Sequence, residues 1–501
     1  MRPICLVRTV ERAAACLITL CILQNPARAL ADDMERSLVR VVVTSQGYDP
    51  FIPWQKTPPV MHRGYGVLID SNRVLTVAQL IQNSTIIELQ QGMSGEMHPA
   101  VVELSDVDAN LAILRIVDPA GMKPLVSLPM AEKVSRESRV QIVQLNDTGE
   151  ISRGDAKIVD ISVNDFATTS GSILVFTALA DINVNGQGAV VLHEGAVAGL
   201  IMWYDHNTRI GTMLPYPILK HFVSDAAGER YRGFAAAGFS WAPLVDPAER
   251  RYLKVDKHSG GIVVLTVRPR TGAAEALLPQ DVILEWDGCA IDNLGFYDDR
   301  DFGRLALPYL IKGHRYPGDT VEAKIVRNGE LKTVHIPLTR QADEQMLIPD
   351  NSAGARAEYL VDGGFLIREL TGDYMRAYGD GWLADADARL VHYSLTRADK
   401  PEQPGDRVVI LSRVLADSIN VGYQSMRDQV ITHVNGEPVR NMADVFRLVE
   451  QHKGLRRMRM LSMSIDIVLD PETIDSANRR IMRTYQIPSL RFKRTETRTR
   501  D

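Results

Sequence analysis

The sequence predicts a mainly β chain: two small barrels, then two α+β units built to one plan. Three observations lead there. Short β-type runs recur between turn residues over 34–225, with no long amphipathic helix until 215–226. Asn328-Gly329 sits between two such runs, a hairpin signal because both residues tolerate positive φ. Asp287-Gly288 and Asn435-Gly436 punctuate matching stretches, which reads as an internal duplication of a unit of roughly 100 residues.

Strands are expected over 39–43, 66–69, 74–76, 112–116, 140–143 and 198–202, and a helix over 216–224 with Pro217 in its first turn. The segment 226–233 reads as a linker. Beyond it come a strand over 261–267, a short helix over 272–276, a strand over 281–286 and the hairpin 320–338. The weaker copy has strands at 364–367, 407–411 and 429–434, then a helix over 442–451. A C-terminal extension adds a strand over 465–469 and a helix capped by Asp470, with Pro471 in its first turn.

At 501 residues the chain is too long for one core and suggests about three or four domains. Residues 1–31 read as a secretory signal: Arg2, Arg8 and Arg12 precede an apolar run too short to span a bilayer, and Ala29-Leu30-Ala31 offers a cleavage site. The mature protein is then periplasmic or secreted, with no stable membrane span. Losing four arginines and one glutamate, a net +3, takes the charge from −5 to about −8. An acidic chain with no basic stripe gives no reason to expect nucleic acid. Cleavage leaves Cys289 alone, so no intramolecular disulfide is possible, and its apolar setting argues for packing over nucleophilic chemistry.

Three segments resemble the HtrA/Deg serine proteases. Val74-Leu75-Thr76-Val77-Ala78-Gln79 is similar to the stretch that delivers their histidine base, but ends in glutamine. Asn110-Leu111-Ala112-Ile113-Leu114 resembles Asp-Leu-Ala-Leu-Leu, with asparagine for the orienting aspartate. Asn185-Gly186-Gln187-Gly188-Ala189 resembles Asn-Ser-Gly-Gly-Ala, with glycine for the serine. The plant-type Deg branch is the nearer likeness, through Gly238-Phe239-Ser240-Trp241, Asn420-Val421-Gly422-Tyr423 and Tyr485-Gln486-Ile487-Pro488. The resemblance implies a trypsin-like double β-barrel followed by two PDZ domains (α+β) and a short C-terminal extension. It divides the chain into a signal peptide (1–31), a protease-like domain (34–226), PDZ domains (233–342 and 355–455) and an extension with a basic tail (456–501).

Acyl transfer needs a hydroxyl nucleophile, a base titrating near neutrality and an acid that orients the base. Gly186 supplies no nucleophile, Gln79 no base and Asn110 no carboxylate. A shifted register rescues nothing, because 173–223 contains no serine. His62 and His98, the histidines of the first barrel, read as solvated loop residues. Ser170-Gly171-Ser172 reads as turn chemistry. His193-Glu194 lacks a third ligand, so neither metal nor cofactor is expected. Thr177, Thr208 and Thr212 lack an evident base.

What remains is binding. The resemblance implies peptide capture by strand addition, with a glycine nest for the terminal carboxylate at Gly238, Phe239, Ser240 and Trp241, and a second at Gly364, Phe365 and Leu366, in a domain that in this branch looks more like an assembly element folding onto its own chain. The loop Asn185, Gly186, Gln187 and Gly188 would be a relic oxyanion site, either still a peptide-docking groove or a plain turn. The expected function is a pseudoprotease binding misfolded or C-terminally exposed polypeptides. Its rivals are an active endopeptidase of protein quality control and a structural subunit co-assembling with an active relative. Trimer-based homo-oligomers, or hetero-oligomers with that relative, are family expectations. The tail 491–500 reads as a solvated end.

Overall fold

The structure is a computed structural model and describes residues 34–166, 171–341, 343–351 and 354–494. The expected signal segment, Ser170 and most of the basic tail lie outside the described residues. Two closed barrels come first. One is made of β1 (Leu38–Ser45), β2 (Val60–Leu68), β3 (Arg73–Val77), β4 (Ser84–Gln90), β5 (Met97–Asp106) and β6 (Leu111–Ile116). The other is made of β7 (Arg139–Leu145), β8 (Ile151–Asn164), β9 (Ile173–Ala180), β10 (Val190–His193), β11 (Ala196–Asp205) and β12 (Ile210–Pro215). Closure leaves no open strand edge on either barrel. Helix α1 (Tyr216–Ala226) follows, with Pro217 in its first turn and Ile218, Leu219 and Phe222 buried.

The expected linker over 226–233 is instead a packed joint. Asp225 accepts from the backbone N–H groups of Arg232 and Gly233, and Tyr231 donates to the Asp106 carboxylate. His221 stacks between Phe234 and Tyr316, at 4.5 and 4.0 Å between ring centres. One continuous apolar core therefore spans both barrels and the next unit.

That unit contains β13 (Phe239–Pro243), α2 (Pro247–Tyr252), β14 (Ile262–Val267), α3 (Gly272–Ala276), β15 (Val282–Trp286) and β16 (Cys289–Ala290). It continues with β17 (Phe296–Asp299), β18 (Gly303–Ala306), α4 (Leu307–Lys312), β19 (Thr320–Arg327) and β20 (Glu330–Pro337). Its main sheet runs β13-β14-β15-β19-β20. The Asn328-Gly329 hairpin forms as expected, with φ of 55° and 87°.

The second unit repeats that order as β22-β23-β24-β26-β27, using β22 (Phe365–Glu369), β23 (Val409–Val414), β24 (Arg427–Val434), β26 (Arg456–Met460) and β27 (Ile467–Leu469). The short β25 (Glu437–Pro438) pairs with β24, as β16 does with β15. Asp287-Gly288 and Asn435-Gly436 adopt the same left-handed pair of conformations, φ of 51° and 79° against 52° and 88°. Two strands have no counterpart in the first unit. β21 (Tyr359–Asp362) pairs with β22, and β28 (Arg491–Phe492) pairs with β21. Helices α5 (Gly372–Arg376), α6 (Trp382–Asp385) and α7 (Ala388–Thr396) fill the excursion between β22 and β23, and α8 (Met442–Gln451) follows β25.

Residues 456–494 are thus no appendage, since β26 and β27 are strands of the sheet itself. Helix α9 (Pro471–Thr484), capped by Asp470 as expected, buries Ile474, Ala477 and Ile481. Arg491 and Phe492 are paired strand residues rather than a free tail. Phe51 and Trp54, from the loop between β1 and β2, pack on this unit against Tyr374, Tyr378 and Tyr359.

Candidate functional site: a relic triad and two strand edges

Strand β3 runs into a short 3-10 turn that presents Gln79, and the turn before β6 presents Asn110. Asn110 is fully buried with φ of 54°, a left-handed conformation that asparagine tolerates. The Gln79 backbone N–H donates to Asn110 Oδ1 at 2.9 Å, which fixes the orientation of the asparagine amide. Asn110 Nδ2 then donates to Gln79 Oε1 at 2.9 Å, leaving Gln79 Nε2 to donate to the Met202 carbonyl at 2.7 Å. The chain of amides closes on β11, and no titratable group belongs to it. Three such bonds contribute about 0.5–1.5 kcal/mol each.

Gly186, without a side chain, lines a cavity with Met202, whose carbonyl ends that chain. A Cβ placed there would lie 3.0 Å from the Tyr65 ring and 3.1 Å from the Arg63 carbonyl. Tyr65 is held in that space by its hydroxyl, which donates to the Leu145 carbonyl at 2.8 Å. Its own N–H donates to the Gln187 carbonyl, while Gly188 donates to the Ile201 carbonyl at 2.7 Å. Gly188 has φ of 79°, and a Cβ there would meet the Tyr65 carbonyl at 2.2 Å, so only glycine fits. Between this loop and Met202-Trp203-Tyr204 lies a cavity of about 220 Å³. Trp203 is 57% exposed, and Tyr204 and His206 also line the cavity.

The histidines of the first barrel do not approach as loop residues. His62 lies on β2, exposed, and His98 on β5, half-buried. Both are strand residues through their pairing, His62 opposite Val43 and His98 opposite Leu89. Ser172 donates to Asp165, Thr208 donates to Asp205, and His193 Nδ1 lies 3.0 Å from the Arg139 carbonyl. Among the described residues no group of three or more His, Cys, Asp or Glu is placed to hold a metal ion.

The two glycine nests differ. Gly238 has φ of 73°, and its carbonyl accepts from Arg268 N–H at 2.8 Å. Strand β13, carrying Phe239, Ser240 and Trp241, pairs with β14 alone and ends its sheet. Trp241 lies over Gly295, where a Cβ would come within 2.3 Å of the indole. In the second unit, Gly364 leads into β22, which begins with Phe365 and Leu366 and is paired on both sides. The edge that would take a peptide is occupied by β21. The nest is filled as well: Gly363 N–H donates to Asn478 Oδ1, and Asn420 Nδ2 donates to the Gly363 and Leu415 carbonyls, each at 2.8 Å. Residues before and after the repeated unit thus fold onto the segment Gly364, Phe365 and Leu366, as an assembly element would.

A PDZ domain family model matches residues 348–493. Across 93% of this chain, the chain is 26% identical to 76% of protease Do-like 2, chloroplastic, of Arabidopsis thaliana. Putative protease Do-like 3, mitochondrial, of the same plant is 25% identical over 90% of this chain and 79% of its own length. Among solved structures, a variant of the HtrA-type protease AlgW with a decapeptide matches 62% of this chain and 98% of its own at 17% identity, with a TM-score of 0.50. That last likeness concerns the fold alone. Over nearly its whole length the chain is similar to HtrA/Deg trypsin-like proteases, and it carries a PDZ domain over 348–493. The family architecture of two barrels and a PDZ region is present, and the matched PDZ segment includes β21, α9 and β28.

Sequence reasoning missed several residues of this chain. Tyr65 stands outside every motif of the sequence, and Met202 contributes through a backbone carbonyl, which leaves no signature. The loop carrying Asn110 is also tied to the first unit. Lys312, at the end of α4, approaches the Asp108 carbonyl, and Arg340 lies 3.6 Å from the Asp108 carboxylate and 3.8 Å from that of Asp106. Burial pushes the Lys312 ammonium below its ordinary value, opposed by Asp108 and Asp106. Burial likewise lowers His221, against a bond to the Gly233 carbonyl.

Proposed function

We propose that this chain is an HtrA/Deg relative that does not cleave, and that it holds unfolded or C-terminally exposed polypeptides on the free edge of β13. The observation that carries the reading is the chain of bonds from Asn110 through Gln79 to the Met202 carbonyl, with Gly186, which has no side chain, lining the cavity beside Met202. Serine-type hydrolysis has no nucleophile to form an acyl intermediate and no base to release one. With the triad gone, catalysis of about 10³–10⁴-fold over water is the most that binding and an oxyanion site can supply. Strand addition at β13 would satisfy the unpaired ladder groups of that edge, with side chains alternating over Phe239 and Trp241. Residues 1–31 support export to a periplasmic or extracellular space, with cleavage near Ala31.

Incubation with unfolded casein tests this reading. The expected result is casein that stays intact but is retained by the chain. Cleavage that disappears in Gln79→Ala would overturn it, because that variant leaves β13 untouched.

A further inference from the structure

Away from the relic triad and both nests, the second unit holds a pocket where β23 and β24 diverge. Their ladder runs from Arg413↔Arg427 to Ile410↔Val430. Beyond it Arg407 N–H donates to the Arg440 carbonyl, and Val439 N–H to that of Thr432. The gap is a cavity of about 240 Å³. Its floor is apolar, with Val408 and Val430 buried.

The rim is basic. Arg397, Lys400, Arg407 and Arg440 face it, against the carboxylates of Glu402 and Asp406. Asp406 is already engaged, accepting from Gln403 N–H and from Arg440 Nε. Glu402 is 84% exposed and 3.7 Å from Arg397, so water screens that pair. Lys400 reaches the Thr396 carbonyl, with no carboxylate within 4.0 Å among the described residues. The strap 397–402 is fixed from its far side by the first unit. Arg268 pairs with Asp399 at 3.2 Å, and Arg270 donates to the Pro401 and Glu402 carbonyls. The wall carrying Arg397 and Lys400 is therefore held in place before any ligand arrives, which lowers the cost of binding.

We propose that this pocket binds a small organic carboxylate with an apolar body, the carboxylate held by Arg397 and Lys400 above the Val408–Val430 floor. Drug-sized ligands need about 300 Å³ or more, so the cavity suits a single ring or a short acyl chain. Charge-assisted bonds to the carboxylate would supply the selectivity, and a neutral amide of the same shape would forfeit them.

The test is calorimetric titration of the full chain with phenylacetate, phenylacetamide and inorganic phosphate. Phenylacetate should bind saturably with a Kd on the order of 1 mM. Phenylacetamide and phosphate should each bind about tenfold more weakly or not at all. The exposed double variant Arg397→Gln/Lys400→Gln should lose about tenfold in phenylacetate affinity. Lys453→Gln, an exposed charge change elsewhere on the unit, should leave it unchanged. Absence of saturable phenylacetate binding, equal binding of the amide or of phosphate, or an unaffected double variant would each overturn the proposal.

Discussion

Strands β13 and β22 hold the same place in two sheets of the same order, each entered through a glycine in a left-handed conformation. Around β13 the chain leaves one edge unpaired. Around β22 it returns twice, as β21 from the residues before and as β28 from those after α9, and buries Tyr359 and Val361 in doing so. β21 is joined to β22 by only Gly363-Gly364, so its effective concentration at that edge is millimolar or higher, and an external peptide would have to displace it. The difference teaches that a sheet of one strand order can end in an open edge or in a joint, depending on what its flanking residues do. The joint also receives Phe51 and Trp54 from the loop between β1 and β2.

The largest expected effect breaks the joint. Tyr359 is fully buried, packs on Trp54 and donates to the Ser489 carbonyl, so Tyr359→Ala should destabilise the second unit by about 3–5 kcal/mol. Denaturant unfolding measures this, and a loss within about 0.5 kcal/mol, as at an ordinary surface site, would mean that β21 is no part of the sheet.

A paired substitution separates the two nests. Alanine at Gly364 would put a Cβ 2.4 Å from the Leu415 carbonyl, and at Gly238 one 2.7 Å from Thr271 Oγ1, each at positive φ. Both should cost about 1–3 kcal/mol in thermal unfolding. Only Gly238→Ala should also weaken binding of a C-terminal peptide, by about tenfold, or roughly 1.4 kcal/mol. Equal loss of affinity in both variants would erase the distinction.

The joint between barrel and first unit should respond to pH. Burial holds the His221 pKa below its ordinary 6.5, so just below that pH the unfolded chain binds more protons than the folded one. Stability is therefore complete above pH 6.5 and declines as pH falls beneath it. Melting curves from pH 7 to pH 5 should show the decline in the parent chain and a flatter profile in His221→Gln. The smallest effect belongs to the contact between the two units: Asp399→Asn, which breaks the part-exposed pair with Arg268, should cost no more than about 1 kcal/mol.

Much of this was legible in the sequence because it is local. Asn328-Gly329, Asp287-Gly288 and Asn435-Gly436 each impose positive φ, and each marks the turn expected of it. Gln79, Asn110 and Gly186 were also legible, since their chemistry depends on residue type. β28 was not, because a strand of two residues pairs only through contacts such as Tyr359↔Phe492, far apart in the chain, while β21 is a four-residue hairpin partner of β22 whose turn, Gly363-Gly364, carries no strand signal of its own. The 226–233 segment misled because its composition is that of a linker, while its fixation comes from Asp225 and Asp106.

Hydrogen–deuterium exchange of the full chain with an unfolded, C-terminally free polypeptide, read by mass spectrometry, tests the central claim most directly. It reports both the fate of the polypeptide and the protection of each strand. The account predicts an uncleaved polypeptide, new protection over 238–242, and none over 364–368, where β22 is already paired. A cleaved polypeptide, or protection gained on β22 and not on β13, would contradict it.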